Sequence, residues 1–182
     1  MLNSYLISFL NETGRIEDSS NLSAMHVKIR PAGWAHLETL KKLNSDQKQG
    51  FVAMWFTDDM QQIYEKVISQ AIIDAGYLPH RVDQREHNDK IDDEIIAQIR
   101  KSRFVFADFT GHRGGVYFEA GFARGLGLEV FWSCREDDVN NLHFDIRQYN
   151  CITWNQERLE EFKSKIINRI EAVIGHGPYQ SN

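Results

Sequence analysis

From Phe51 onward the chain alternates short apolar runs with stretches of helical periodicity. Phe51-Val52-Ala53-Met54-Trp55-Phe56 is continuous and apolar, the pattern of a strand covered on both faces. Thr57-Asp58-Asp59 then offers side-chain oxygens to free backbone N–H groups, and Ile63, Val67, Ile68, Ala71 and Ile72 recur at helical spacing as far as Gly76. Tyr77-Leu78 predicts a short second strand, Pro79 to Lys90 is polar and aperiodic, and Ile91 to Lys101 is helical through Ile95, Ile96 and Ile99. Phe104 to Phe109 predicts the next strand, Thr110 to Gly115 a glycine-bearing loop, Val116 to Leu126 a helix stopped by Gly127, and Val130 to Cys134 another strand. Arg135 to Asn150 is irregular and polar. Cys151 to Trp154 predicts a last strand, and Asn155 to Ile174 an amphipathic helix with Asn155 as its N-cap and Gly175 as its stop.

Strands that alternate with helices must pair in parallel, because each return crossing is covered by a helix passing over the sheet. The expected fold is therefore α/β, a flavodoxin-like (Rossmann-like) five-stranded parallel sheet sandwiched by helices over residues 48–175, with a tail at 176–182. Residues 1–47 differ in character. Tyr5 to Leu10 reads as a helix fragment, Met25 to Ile29 alternates like a strand, and Pro31 opens a helix through Leu37, Leu40 and Leu43. This arm resembles part of a winged-helix unit with a linker helix, and either packing, dimerisation or nucleic-acid contact would suit it.

Composition narrows the classes. A chain of 182 residues with 42% hydrophobic content buries one proper core. A net charge of −5 excludes a surface built throughout to hold a polyanion, which leaves nucleic acid as a partner only through a local patch such as the arm. No apolar run approaches the roughly 18 residues that span a bilayer, and the first residues lack a basic leader region, so a cytoplasmic protein without membrane contact is expected. Cys134 and Cys151 lack Cys-x-x-Cys spacing and read as buried thiols. His80, His87, Asp89, Asp92 and Asp93 lack compact ligand spacing, so a solvated loop is expected there, with no metal and no resident cofactor.

In an open parallel sheet of this order the ligand crevice lies beyond the carboxyl ends of the first and third strands. The loops Trp55 to Asp59 and Asp108 to Gly115 are then the ones that matter. Gly114-Gly115 lets backbone approach a ligand at a helix start, and the field of that helix favours an ionised Glu119. Such a carboxylate attacks an anomeric carbon in a double displacement, or else it caps its own helix from the third helical position. Asp108 either binds a sugar hydroxyl or closes its own turn. Trp55 and Phe56 either stack on a base or belong to the core. A phosphate-loop signature is absent.

Two segments resemble the nucleoside 2-deoxyribosyltransferase superfamily, which includes nucleotide N-hydrolases and bacterial defence effectors. Trp55-Phe56-Thr57-Asp58 with Tyr64-Glu65-Lys66 looks like that family's substrate loop and first helix, and Gly114 to Ala123 is similar to its Gly-x-x-x-Glu-x-Gly-x-Ala motif. The resemblance implies that Glu119 is the nucleophile and that Trp55 and Phe56 line the base pocket; Thr57, Asp108, Gly114 and Gly115 join them as substrate-binding candidates, with Tyr117 close to the sugar and Asp93 either protonating the leaving base or holding the sugar. Where the family often carries an aspartate six residues before its nucleophile, this chain has Arg113, and a second expected aspartate falls on Ile95. An arginine there suits a phosphate or pyrophosphate, so Arg113 is a candidate ligand for a nucleotide or NAD. Lys90 to Ile96, Ala107 to Gly111 and Phe144 to Tyr149 look like a bacterial Toll/interleukin-1 receptor-like subgroup, which implies NAD as a substrate and a defence setting. The resemblance also implies a homo-oligomer. The expected function is cleavage of an N-glycosidic bond, the alternatives being a nucleotide sensor and a DNA-associated effector using the arm.

Overall fold

The computed structural model of the chain describes residues 2–20, 26–42, 47–82, 91–146 and 149–180. It forms two compact units, Met1–Ser45 and Asp46–Asn182. In the smaller unit, helix α1 (Leu2–Glu12) leads into strand β1 (Ile16–Asp18), which pairs antiparallel with β2 (Val27–Ile29) before helix α2 (Pro31–Lys42). The alternation at Met25 to Ile29 predicts only the second of these strands. Ile16 is the buried residue of β1, whereas β2 is exposed along its length.

The larger unit contains strands β3 (Gln49–Ala53), β4 (Leu78–His80), β5 (Phe104–Asp108), β6 (Glu129–Arg135) and β7 (Ile152–Trp154). They form one parallel sheet in the order β4-β3-β5-β6-β7, the flavodoxin-like order. Between β3 and β4 lies a continuous helical segment: α3 (Asp58–Ile63), a π-helical turn (Tyr64–Ile68) and α4 (Ser69–Asp74). Helix α5 (Ile91–Arg100) precedes β5, α6 (Gly114–Gly125) joins β5 to β6, and α7 (Leu159–Ile174) follows β7. The π-turn is not visible in the apolar spacing, because inserting one residue per turn leaves Val67, Ile68, Ala71 and Ile72 buried.

Successive residues of each strand point to opposite faces, so a continuous apolar run fills two cores at once. Val52, Phe104, Phe106, Phe131, Ile152 and Trp154 pack under α4 and α7 with Ile68, Ile72, Phe162 and Ile166. Phe51, Ala53, Val105, Ala107, Val130 and Trp132 pack on the other face, under α5 and α6, with Ile95, Ile99, Val116, Ala120 and Ala123. Helix α7 starts at Leu159, later than the polar pattern predicts. Asn155 Oδ1 accepts the N–H groups of Glu157 and Arg158, both at 3.1 Å, in a turn ahead of the helix. The tail expected after Gly175 is tied down: Gly177 N–H donates to Ala75 O at 2.8 Å and Tyr179 N–H to Gly76 O at 2.9 Å. Among the described residues no helix is long and apolar enough to cross a membrane.

Candidate functional site

Beyond the carboxyl ends of β3 and β5 two loops meet. In the first, Thr57 is spent as the N-cap of α3, its Oγ1 accepting the Met60 N–H at 3.4 Å. In the second, Gly111 adopts φ 78° and presses so close to Trp55 that a Cβ on it would lie 2.3 Å from the indole Cε3. Only glycine meets both demands, the left-handed backbone and the missing side chain. Arg113 is exposed, with its guanidinium carbon 5.4 Å from the Trp55 ring centre. Between them His112 also has a positive φ of 52°, an uncommon conformation for a residue with a side chain.

What holds this turn comes from the segment after β6. Asp138 Oδ2 accepts the Gly111 N–H at 2.7 Å, and its Oδ1 accepts from Asn141 at 3.0 Å and lies 2.8 Å from His112 Nε2. That last contact is an ion-pair approach outside hydrogen-bond alignment, so His112 Nε2 is buried without an aligned partner. Burial opposes ionisation of Asp138, yet the Gly111 N–H, Asn141 and His112 together hold its pKa down at about 2.

Helix α6 begins at Gly114 with Arg113 as an N-cap that makes no side-chain cap bond. The N–H groups at the start of a helix have no intrahelical acceptor, and Gly114 and Gly115, both exposed, leave such donors at the start of α6. Glu119 is the sixth residue of α6. The capping reading required the third, which is Val116. Glu119 instead shares the buried stripe Val116, Glu119, Ala120 and Ala123. Helical side chains lean toward the N-terminus, so its carboxyl lies over the turn that holds Gly115 and Val116. It is 5% exposed and has no hydrogen-bond partner among the described residues. Burial pushes its pKa up to about 7. The helix field expected to keep it ionised falls off within the first turn, and at this depth desolvation dominates.

The remaining candidates do not all converge on Glu119. Asp108 is fully buried on the opposite face of the sheet, where its carboxylate accepts the Thr110 N–H at 3.0 Å and the Ser133 hydroxyl and Trp154 indole N–H at 2.8 Å each. Of its two readings, the turn-closing one matches this geometry. Tyr117 stands about 160° around α6 from Glu119 at roughly 100° per residue. It is turned toward Phe109, 4.8 Å between ring centres, and its hydroxyl accepts the His143 N–H at 3.4 Å. Asp93 is exposed on the first turn of α5. Phe56 lies under the Arg81 guanidinium at 4.9 Å, and the same guanidinium covers Tyr64 of the π-turn at 4.0 Å.

No family model and no curated protein matches this chain.

Geometry therefore carries the functional reading. Arg113 stands over Trp55 at the end of the sheet, and Gly114 and Gly115 open the helix that carries Glu119. Sequence reasoning passed over Arg81, His112, Ser133 and Asp138. Nothing periodic marks them, although a polar residue after a strand end was the one available sign for Asp138. His80 is half-buried 6.4 Å from the Phe51 ring, and burial lowers its pKa. His87, Asp89 and the Asp92 side chain lie outside the described residues. Among the described residues no group of three His, Cys, Asp or Glu side chains is arranged to hold a metal ion. Burial raises both thiols, Cys151 to about 12.

Proposed function

We propose that the larger unit binds a nucleoside, nucleotide or NAD in the crevice between the ends of β3 and β5 and cleaves its N-glycosidic bond with Glu119 as nucleophile. The carrying observation is Glu119 itself, a residue only 5% exposed whose carboxyl has no hydrogen-bond partner among the described residues, set one turn inside a helix start. A buried ionisable group left unpaired destabilises the fold, so its presence calls for a functional account. The similarity of Gly114 to Ala123 to the deoxyribosyltransferase motif supports the same residue.

Burial pushes the Glu119 pKa up to about 7, so both its protonated and ionised forms are within reach near neutral pH. Positive charge developing at an anomeric carbon favours its ionised form, and the low dielectric strengthens that attraction. The carboxylate oxygen then bonds to the anomeric carbon while the C–N bond breaks and its electron pair leaves with the base. Water attacks the resulting glycosyl ester, releases the sugar and restores the carboxyl. A cationic nicotinamide leaves without needing a proton and asks least of the site. A neutral base needs a donor, for which Asp93 on α5 is the candidate. Arg113 and the free N–H groups of Gly114 and Gly115 suit phosphate oxygens at the mouth.

One observation favours a second reading: a protonated Glu119 donates a hydrogen bond rather than attacking, which suits a nucleotide sensor. Incubating the chain with NAD, deoxynucleosides and deoxynucleoside 5'-monophosphates, and following free base by chromatography, separates the two. Release is expected to rise with pH through about 7 and to fall by roughly three orders of magnitude in Glu119→Gln. Thermal stabilisation by one of these compounds with no base released would instead support the sensor.

A further inference from the structure

Strand β6 is longer than the strand beside it. It runs from Glu129 to Arg135, but β7 pairs with it only from Ser133 onward, so among the described residues no strand covers its outer edge between Glu129 and Trp132. A cavity of about 260 Å³ opens there, at the amino end of β6 and so at the opposite end of the sheet from the crevice. Two helices from opposite faces of the sheet reach into it. Arg124 comes from the last turn of α6 and Arg169 from the second half of α7, and Glu129 lines the same cavity. Arg169 and Glu129 are half-buried. Among the described residues none of these three side chains forms a hydrogen bond or an ion pair, either with one another or with any other protein group. Tyr149 closes another side: its ring stacks on Trp132 at 4.5 Å with planes 4° apart, and the Arg124 guanidinium carbon stands 5.7 Å from its centre.

We propose that this cavity binds a sugar phosphate, with Arg124 and Arg169 on the phosphate and Glu129 accepting from the hydroxyl groups. The charges select the anion. Two guanidinia against one carboxylate leave the wall net positive, and a phosphate dianion answers both cations with fork-shaped, charge-assisted hydrogen bonds. Because the two arginines come from opposite faces of the sheet, they approach from two directions, which suits a tetrahedral group with oxygens on every side. Glu129 repels a phosphate placed beside it but accepts an O–H from the rest of the ligand, so the same wall asks for a hydroxylated organic part. Size sets the remainder. The cavity falls just under the roughly 300 Å³ at which drug-sized sites begin, which suits a five- or six-carbon sugar phosphate and leaves no room for a dinucleotide. This site lies apart from the crevice, and the inference stands whether or not Glu119 cleaves a glycosidic bond.

Calorimetric titration of the full chain with ribose 5-phosphate tests it. Binding with a Kd below about 1 mM is expected. Inorganic phosphate should bind about tenfold more weakly, because it carries no hydroxylated chain for Glu129, and Glu129→Ala should erase that difference. Arg124→Gln and Arg169→Gln should each weaken ribose 5-phosphate about tenfold or more, while lysine at either position keeps the charge without the fork and should recover part of the loss. Arg113→Gln, at the crevice, should leave this affinity as it was, which separates the two sites. No binding up to about 5 mM overturns the proposal. So does an affinity indifferent to both cavity arginines, one abolished by Arg113→Gln, or inorganic phosphate binding as tightly as the sugar phosphate.

Discussion

Glu119→Gln is expected to remove a pH dependence from the stability of the fold. Relative to that variant, the wild-type chain loses roughly 3 kcal/mol as pH rises from about 4 to about 8. The sign follows from proton counts. Burial raises the Glu119 pKa from 4.5 to about 7, so between those values the folded chain holds a proton that the unfolded chain has released. Stability must then fall with rising pH. Below about 4 both states are protonated and the contribution is whole; above about 8 both are ionised and the loss is complete. Groups common to the two proteins cancel in the comparison, so urea midpoints measured in parallel at pH 4, 6 and 8 isolate this one. A difference that stays flat across the range would mean that the carboxyl is solvated or paired in solution. The destabilised carboxyl is what the proposed chemistry requires, since a site that held it comfortably as an anion would blunt its attack on carbon.

Asp108→Ala should cost stability on a similar scale, roughly 4 kcal/mol, for the opposite reason. Glu119 is buried with no partner among the described residues, whereas Asp108 is buried with three: the Thr110 N–H, the Ser133 hydroxyl and the Trp154 indole N–H. Alanine leaves all three donors in the interior with nothing to accept them, each at a cost of roughly 1–3 kcal/mol. Because these donors come from the loop after β5, from β6 and from β7, the loss should also loosen the turn that carries Gly111 and Arg113. Asp108→Asn keeps the volume and one acceptor and should recover about half of the stability. The check is equilibrium denaturation of the three proteins. A cost below about 1 kcal/mol for alanine would show that water replaces the carboxylate freely and that Asp108 is no keystone of this end of the sheet.

The two carboxylates also mark where the sequence is readable. Apolar runs such as Phe104 to Asp108 are legible because a strand covered on both faces has no reason to alternate, and Gly76, Gly127 and Gly175 mark stops because each takes a positive φ. Glu119 was legible as a candidate from its glycine-flanked setting. Its burial was not, since that depends on which face of α6 meets the sheet. For Asp108 a reading of neighbours leaves a sugar ligand and a turn closure equally open. The deciding residues, Ser133 and Trp154, lie 25 and 46 positions away and become neighbours only once the parallel register is set. Asp138 is hidden for the same reason, 27 positions from the Gly111 N–H that it braces. Local pattern thus predicts the layers and the loops that face the crevice, while the charges that tune the crevice are long-range facts.

The most direct test of the central claim is to catch the sugar on Glu119. The wild-type chain is quenched in acid during incubation with whichever substrate releases base, then cut with trypsin. Cleavage after Arg113 and Arg124 isolates Gly114–Arg124, an eleven-residue peptide in which Glu119 is the only carboxylate side chain. Mass spectrometry should find that peptide carrying the mass of one glycosyl group, with fragmentation assigning it to Glu119. An unmodified peptide under conditions of rapid base release, with a fluorinated sugar analogue also failing to label it, would contradict a covalent role for Glu119.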